Sequence, residues 1–139
     1  MLLKIITPKA VVLEQEVESV TAPGADGDLT ILPRHVRILT LLKEGIITIR
    51  RNKSDEDFLA IGAGYLETDG QETHILVSRA YNQNAVDQKL TEEALKKATE
   101  AVAKSKDESE RIEASLTIRR SMLDLKLLKK RRKTTSSVS

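Results

Sequence analysis

The chain of 139 residues contains no cysteine and no tryptophan, one phenylalanine, two tyrosines and two histidines. Without cysteine there is no disulfide framework and no thiolate metal site, which suits a reducing compartment. The two histidines, His35 and His74, stand far apart, and neither has a paired carboxylate motif beside it. No Gly-x-Ser-x-Gly, His-Glu-x-x-His or phosphate loop occurs. No apolar run approaches the ~20 residues that cross a bilayer. The opening Met1-Leu2-Leu3-Lys4-Ile5-Ile6-Thr7-Pro8 is interrupted too soon to read as a signal peptide. These absences predict a non-catalytic chain that reaches a membrane only through a partner. Basic and acidic side chains nearly balance, 23 against 21, for a formal charge of +2. The average charge therefore does not mark a nucleic-acid binder.

What the chain does have is alternation. Val17-Glu18-Ser19-Val20-Thr21 alternates with period two, as a half-buried strand does. Pro23-Gly24 and Asp26-Gly27 read as turn dipeptides, and Leu29 to Leu32 as a strand that Pro33 ends for want of an N–H. Asp26-Gly27-Asp28 is a fragment of a calcium loop without the closing glutamate, so it reads as a turn and no metal site is expected. Leu2 to Thr7 and Val11 to Leu13 form a hairpin around Pro8-Lys9. Val36 to Leu42 and Ile46 to Arg50 flank a tight connection at Lys43-Glu44-Gly45. Arg51 to Asp57 reads as a polar loop. Phe58 to Ile61, Tyr65 to Thr68 and Thr73 to Ser78 complete the set, with Asp69-Gly70 as a hairpin turn. Many short strands at close spacing predict a β-sandwich or barrel.

Near Asn82-Gln83-Asn84 the period lengthens. Val86, Leu90, Ala94, Ala98 and Ala101-Val102 follow helical steps, capped either by Asn84 or by Thr91 with Glu92 and Glu93 in the first turn. Ser105-x-x-Glu108 is a capping-box signature for a second helix. That helix sets Ile112, Leu116, Leu123 and Leu127 on one face and Ile118, Met122 and Leu125 on a neighbouring one. Each helix is expected to be about the ~12–15 residues at which isolated helices are marginal in water. The fold expected is α+β: a β-sandwich of about ten short strands over residues 1–84, an antiparallel helical hairpin over 85–133, and a disordered tail over 134–139.

Three stretches carry a resemblance. Thr21-Ala22-Pro23-Gly24-x-x-Gly27-Asp28-x-x-Ile31-Leu32-Pro33-x-His35, then Ala60-Ile61-Gly62-Ala63-Gly64-Tyr65-Leu66-Glu67, then the helical tail, together resemble the epsilon-subunit family of the F-type ATP synthase. The resemblance covers nearly the whole chain. It implies a non-catalytic central-stalk subunit that binds the gamma subunit and the rotor c-ring and couples ring rotation to ATP synthesis. Its helices would oppose ATP hydrolysis against the catalytic beta subunits. The location implied is the cytoplasmic face of the bacterial cell membrane, or the equivalent organellar face, as a peripheral part of the complex.

Residue by residue, the resemblance places Asp28, Arg34 and His35 at the ring or gamma contact, Arg34 standing where the family commonly has glycine and Arg37 where it commonly has proline. His35 packing a turn is the alternative. The cations Arg119, Arg120, Lys126, Lys129, Lys130, Arg131 and Arg132 match those that meet the catalytic subunits. Some family members bind ATP through Ile/Leu-Asp-x-x-Arg-Ala. Here the stretch is Val86-Asp87-Gln88-Lys89-Leu90-Thr91, which keeps Asp87 but has leucine for the arginine, and leucine cannot grip phosphate. Weak or absent ATP binding and no cofactor are expected. Two other readings stand beside this one. The basic tail suggests a nucleic-acid module, against which its lack of aromatics argues. A free nucleotide sensor is the other, against which the degraded arginine motif argues.

Overall fold

The computed structural model describes residues 1–130. The candidate residues Arg131 and Arg132 and the tail expected at 134–139 lie outside the described residues. Two units form, Met1–Asn82 and Gln83–Lys130.

The first unit is a β-sandwich. Its strands are β1 (Leu2–Ile6), β2 (Val11–Glu16), β3 (Ser19–Gly24), β4 (Gly27–Ile31), β5 (Ile38–Leu42), β6 (Gly45–Asn52), β7 (Asp55–Ile61), β8 (Gly64–Thr68), β9 (Glu72–Val77) and β10 (Ala80–Tyr81). Their order is β10-β7-β6-β3-β5-β8-β9-β1-β2, with β4 paired to β3. One layer, β5-β8-β9-β1-β2, contributes Leu3, Ile5, Leu66, Ile75 and Val77 to the core. The other contributes Val20, Ala22, Ile47, Ile49, Leu59 and Ile61. Period-two alternation aims these side chains inward, and fully burying each valine, leucine or isoleucine among them is worth roughly 1.5–3 kcal/mol.

Strand β3 joins the layers by changing partners. Ser19 to Thr21 pair with β6, and Gly24 pairs with Leu42 of β5. This corrects the expected turn at Pro23-Gly24. Both residues lie in the strand, opposite Asp28 and Gly27, and the chain reverses between Gly24 and Gly27. Proline is tolerated because it falls where the partner changes, and its carbonyl still accepts from the Lys43 N–H. The expected polar loop at 51–57 is also strand on both sides of Lys53-Ser54. Arg51 pairs there with Asp55 and Asp57, and Arg50 with Glu56. The Pro8-Lys9 hairpin forms as expected, but β1 also pairs in parallel with β9.

The second unit holds a 3-10 turn at Gln83–Ala85, then α1 (Gln88–Lys104) and α2 (Glu108–Lys129), packed as a hairpin. Both helices run longer than expected, 17 and 22 residues. Neither expected cap of α1 is used. Asp87 is the N-cap, and its carboxylate accepts from the Leu90 N–H at 3.0 Å. The capping box at Ser105 does not form either. Asp107 caps α2 by accepting from the Ser109 N–H, while the Ser105 hydroxyl donates to Glu110. Aspartate accepts two residues nearer the helix, where its short side chain reaches the open N–H groups. Of the expected leucine face of α2, Leu127 is buried and Leu123 half-buried, whereas Ile112 and Leu116 are exposed; Ala114 and Ser121 are the other buried positions.

Candidate partner-binding surfaces

The outer face of β5-β8-β9-β1-β2 is built by register. Leu41 stands opposite Tyr65, Tyr65 opposite Leu76, Leu76 opposite Ile6, and Ile6 opposite Val11. Five strands thus line up an apolar row on the side away from the core. The next row runs Leu39, Glu67, His74, Lys4 and Glu14, so charge borders the apolar row on one side. Leu39 and Leu41 are 69% and 67% exposed, which is unusual for leucines in mid-strand. A shallow cavity of about 470 Å³ opens over Leu39, Leu41, Tyr65 and Glu67. A second, about 380 Å³, adjoins it across Tyr65 towards Ile6 and Leu76. Sequence reasoning missed this surface. The available signal was that both phases of β5 are apolar, Ile38 and Leu42 in one and Leu39 and Leu41 in the other. An antiparallel strand with one solvated face should alternate with polar residues instead.

Glycine permits the close pairing beneath Tyr65. A Cβ on Gly64 would overlap the carbonyl oxygen of Leu76. His74 lies in this sheet, as its strand position predicts, and its Nε2 is buried without a hydrogen-bond partner.

The structure separates the three residues expected at one contact. Asp28 pairs with Pro23, one step from the β3–β4 turn, whereas Arg34 and His35 lie beyond the other end of β4. There the Leu32–Arg37 turn rests on the β8–β9 turn. The Arg34 N–H donates to the Gly70 carbonyl at 2.8 Å, and the His35 N–H to the Leu32 carbonyl at 3.1 Å. The His35 ring donates from Nδ1 to the Val36 carbonyl at 2.7 Å, within the turn. The supporting turn is itself tied down. Asp69 Oδ1 accepts from the Gln71 and Glu72 N–H groups, and the Thr68 and Thr73 hydroxyls bond each other at 2.9 Å inside the core. Those two backbone hydrogen bonds hold the Asp69 carboxyl below the ordinary aspartate range.

On α2, Arg119, Arg120, Lys126 and Lys129 are exposed and Lys130 is half-buried at the C-cap. Arg119 and Lys126, seven residues apart, share a face with exposed Ile112 and Leu116, and Arg120 points about a quarter-turn away. An open groove of about 590 Å³ runs past Arg111, Ile112, Leu116 and Arg119. Lys126 and Lys129 also suit the negative end of the helix dipole. Asp87 is occupied as the cap of α1. Among the described residues no three acidic or histidine side chains converge to hold a metal, and no helix is long and apolar enough to cross a membrane.

Comparison with known proteins identifies the family. The family model described as "ATP synthase, Delta/Epsilon chain, beta-sandwich domain" matches residues 1–83. The ATP synthase epsilon chain of Sulfurovum sp. (strain NBC37-1) is 32% identical over 117 residues, covering 84% of this chain and 91% of that one. The epsilon chain of Moorella thermoacetica is 33% identical over 124 residues, covering 89% and 92%. A chain in the Euglena gracilis mitochondrial ATP synthase OSCP/F1/c-ring structure shares the fold with a TM-score of 0.74 at 22% identity, over 84% of this chain and 73% of that one. A chain of the Tetrahymena thermophila mitochondrial ATP synthase central stalk and c-ring structure matches at 0.57 and 17% identity, over 92% and 96%. With a family model spanning the whole sandwich and relatives aligned through the helices, this chain belongs to the ATP synthase epsilon-chain family, a family of non-catalytic rotor-stalk subunits.

Proposed function

We propose that the chain is an adaptor in the central stalk of a proton- or sodium-translocating ATP synthase, and that the gamma subunit covers its apolar sheet face. The observation that carries this reading is the Leu41-Tyr65-Leu76-Ile6-Val11 row, an apolar band on the outside of an antiparallel layer. Such bands on soluble domains mark protein contacts. The two ends of β4 then reach different parts of the rotor, Asp28 at one end and Arg34 with His35 at the other. The rotor ring and gamma share these contacts between them.

The hairpin is the regulatory part of this proposal. Exposed Arg119, Arg120, Lys126 and Lys129 face an acidic segment of the catalytic beta subunits and oppose ATP hydrolysis. Single exposed ion pairs are worth ~0–1 kcal/mol, so the effect needs the cluster. The place of action is the membrane surface, through the complex. The test is reconstitution of the full-length chain with gamma and the catalytic hexamer. Co-elution with gamma, lost in Leu41→Glu, supports the adaptor role, and co-elution that survives that change removes gamma from the sheet face. Faster ATP hydrolysis with Arg119→Glu/Lys126→Glu supports the brake, and unchanged hydrolysis removes it.

A further inference from the structure

Arg34 is the one non-glycine residue at positive φ among the described residues, at 69°. An L-residue there crowds its Cβ against its own carbonyl, a strain that glycine escapes. The backbone does not leave the position free to relax. The Arg34 N–H is bonded to the Gly70 carbonyl. Gly70, itself at φ 91°, lies so close that a Cβ would stand 2.8 Å from the His35 carbonyl oxygen and 3.1 Å from Arg34 Cα. The turn is therefore a fixed platform that holds a strained arginine where glycine would sit without strain. An outlier of this kind points to work done by the side chain.

The surroundings say what work. Arg34 is exposed and forms no ion pair among the described residues, and Arg37 follows three positions later, also exposed. Leu32 and Val36, on the same turn, are 55% and 72% exposed. No carboxylate lies within residues 32–37; Asp69, on the supporting turn, feels the charge of Arg37. The result is a rigid knob with two exposed aliphatic side chains and two guanidinium groups.

We propose that the Leu32–Arg37 turn is a docking knob for a protein segment that carries carboxylates, with Arg34 as the residue that reads them. Guanidinium binds carboxylate through two parallel hydrogen bonds, a geometry that rewards a fixed backbone. A fluid surface of anionic lipid is served equally well by a flexible basic loop, so the rigid platform favours a protein partner. This inference rests on the stalk reading above and specifies its chemistry at one contact: the facing rotor segment is acidic.

The experiment uses the full-length chain and ATP synthase stripped of its own copy of this subunit, with dissociation constants measured at low and high salt. Arg34→Gly keeps the turn and removes the strain, so its melting temperature should equal or exceed the wild type's. Its affinity should fall about tenfold or more, as loss of a charged hydrogen-bond pair predicts, and its salt dependence should flatten. Arg34→Lys should recover only part of that loss. Equal affinity for Arg34→Gly and wild type overturns the proposal. Wild type that binds vesicles of phosphatidylglycerol, with Arg34→Gly losing that binding instead, overturns it in favour of lipid. Failure of the wild type to bind the stripped complex counts against the stalk reading itself, which separates the two claims.

Discussion

The side-chain amide of Gln83 donates to the main-chain carbonyl of Leu127 at 2.8 Å, across 44 residues of chain, and reaches the Lys130 carbonyl as well. Both acceptors belong to the end of α2, where carbonyls run short of intrahelical partners and the Leu127 carbonyl also accepts from the C-cap Lys130 N–H. Replacing Gln83 by alanine should cost the hairpin about 1 kcal/mol. Hydrogen exchange checks this: amides in the last turn of α2 should exchange faster, while those of the sandwich core keep their protection. Unchanged exchange in that turn would mean water caps the helix equally well.

Tyr65 sits where both cavities of the outer sheet face adjoin. Tyr65→Ala should leave stability within about 0.5–1 kcal/mol of wild type because the ring is partly exposed. Binding to gamma should weaken by about 2 kcal/mol, roughly thirtyfold, if the ring anchors that contact. Calorimetry of the isolated chain and titration with gamma separate the two effects. A stability loss with intact binding would contradict the assignment.

Asp69 predicts an acid limb in the stability curve. Its folded pKa lies below the ordinary 3.8 because the Glu72 and Gln71 N–H groups donate to it, with the Arg37 charge adding to the effect. A depressed carboxyl pKa stabilises the fold above the unfolded pKa, and that contribution is lost as pH falls through the lower, folded value. Denaturant midpoints measured from neutral pH downward should show less acid sensitivity in Asp69→Ala than in wild type. Parallel curves for the two proteins would rule this contribution out.

Asp87 holds the start of α1 through the Leu90 N–H. Asp87→Ala should lose about 1 kcal/mol of helix stability, whereas Asp87→Asn should lose little, since asparagine caps equally well. Circular dichroism on melting distinguishes them. Equal losses would show that the carboxylate charge, and not the cap, matters at this position.

Gly64→Ala tests the pairing beneath the apolar row. The added methyl must displace the Leu76 backbone, and overpacking of this sort costs about 1–3 kcal/mol. A melting temperature equal to wild type would show that β8 and β9 can separate locally without penalty.

Much of the fold was legible because its signals are local. Asp69-Gly70 makes its turn through a side chain and a glycine that sit next to each other, and no distant residue is consulted. The helix caps lie within equally short stretches but are not legible there. Asn84, Thr91 and Ser105 are all good cap residues, but the choice falls on Asp87 and Asp107, where the chain actually turns into helix. The contact residues were legible only as residue types. Asp28 and His35 are close in sequence, yet an intervening strand carries them apart.

The amino-acid order alone determined which residues alternate, where period two gives way to the helical period near Asn82, and which motifs tie the chain to its family. The assembled structure decided that β1 lies parallel to β9, that β3 leaves β6 for β5 at Pro23, and that Leu39 and Leu41 remain outside. The reason is physical. Alternation settles which side chains share a face of a strand, but which face is covered depends on the strand order. That order is set by contacts between residues far apart in the chain.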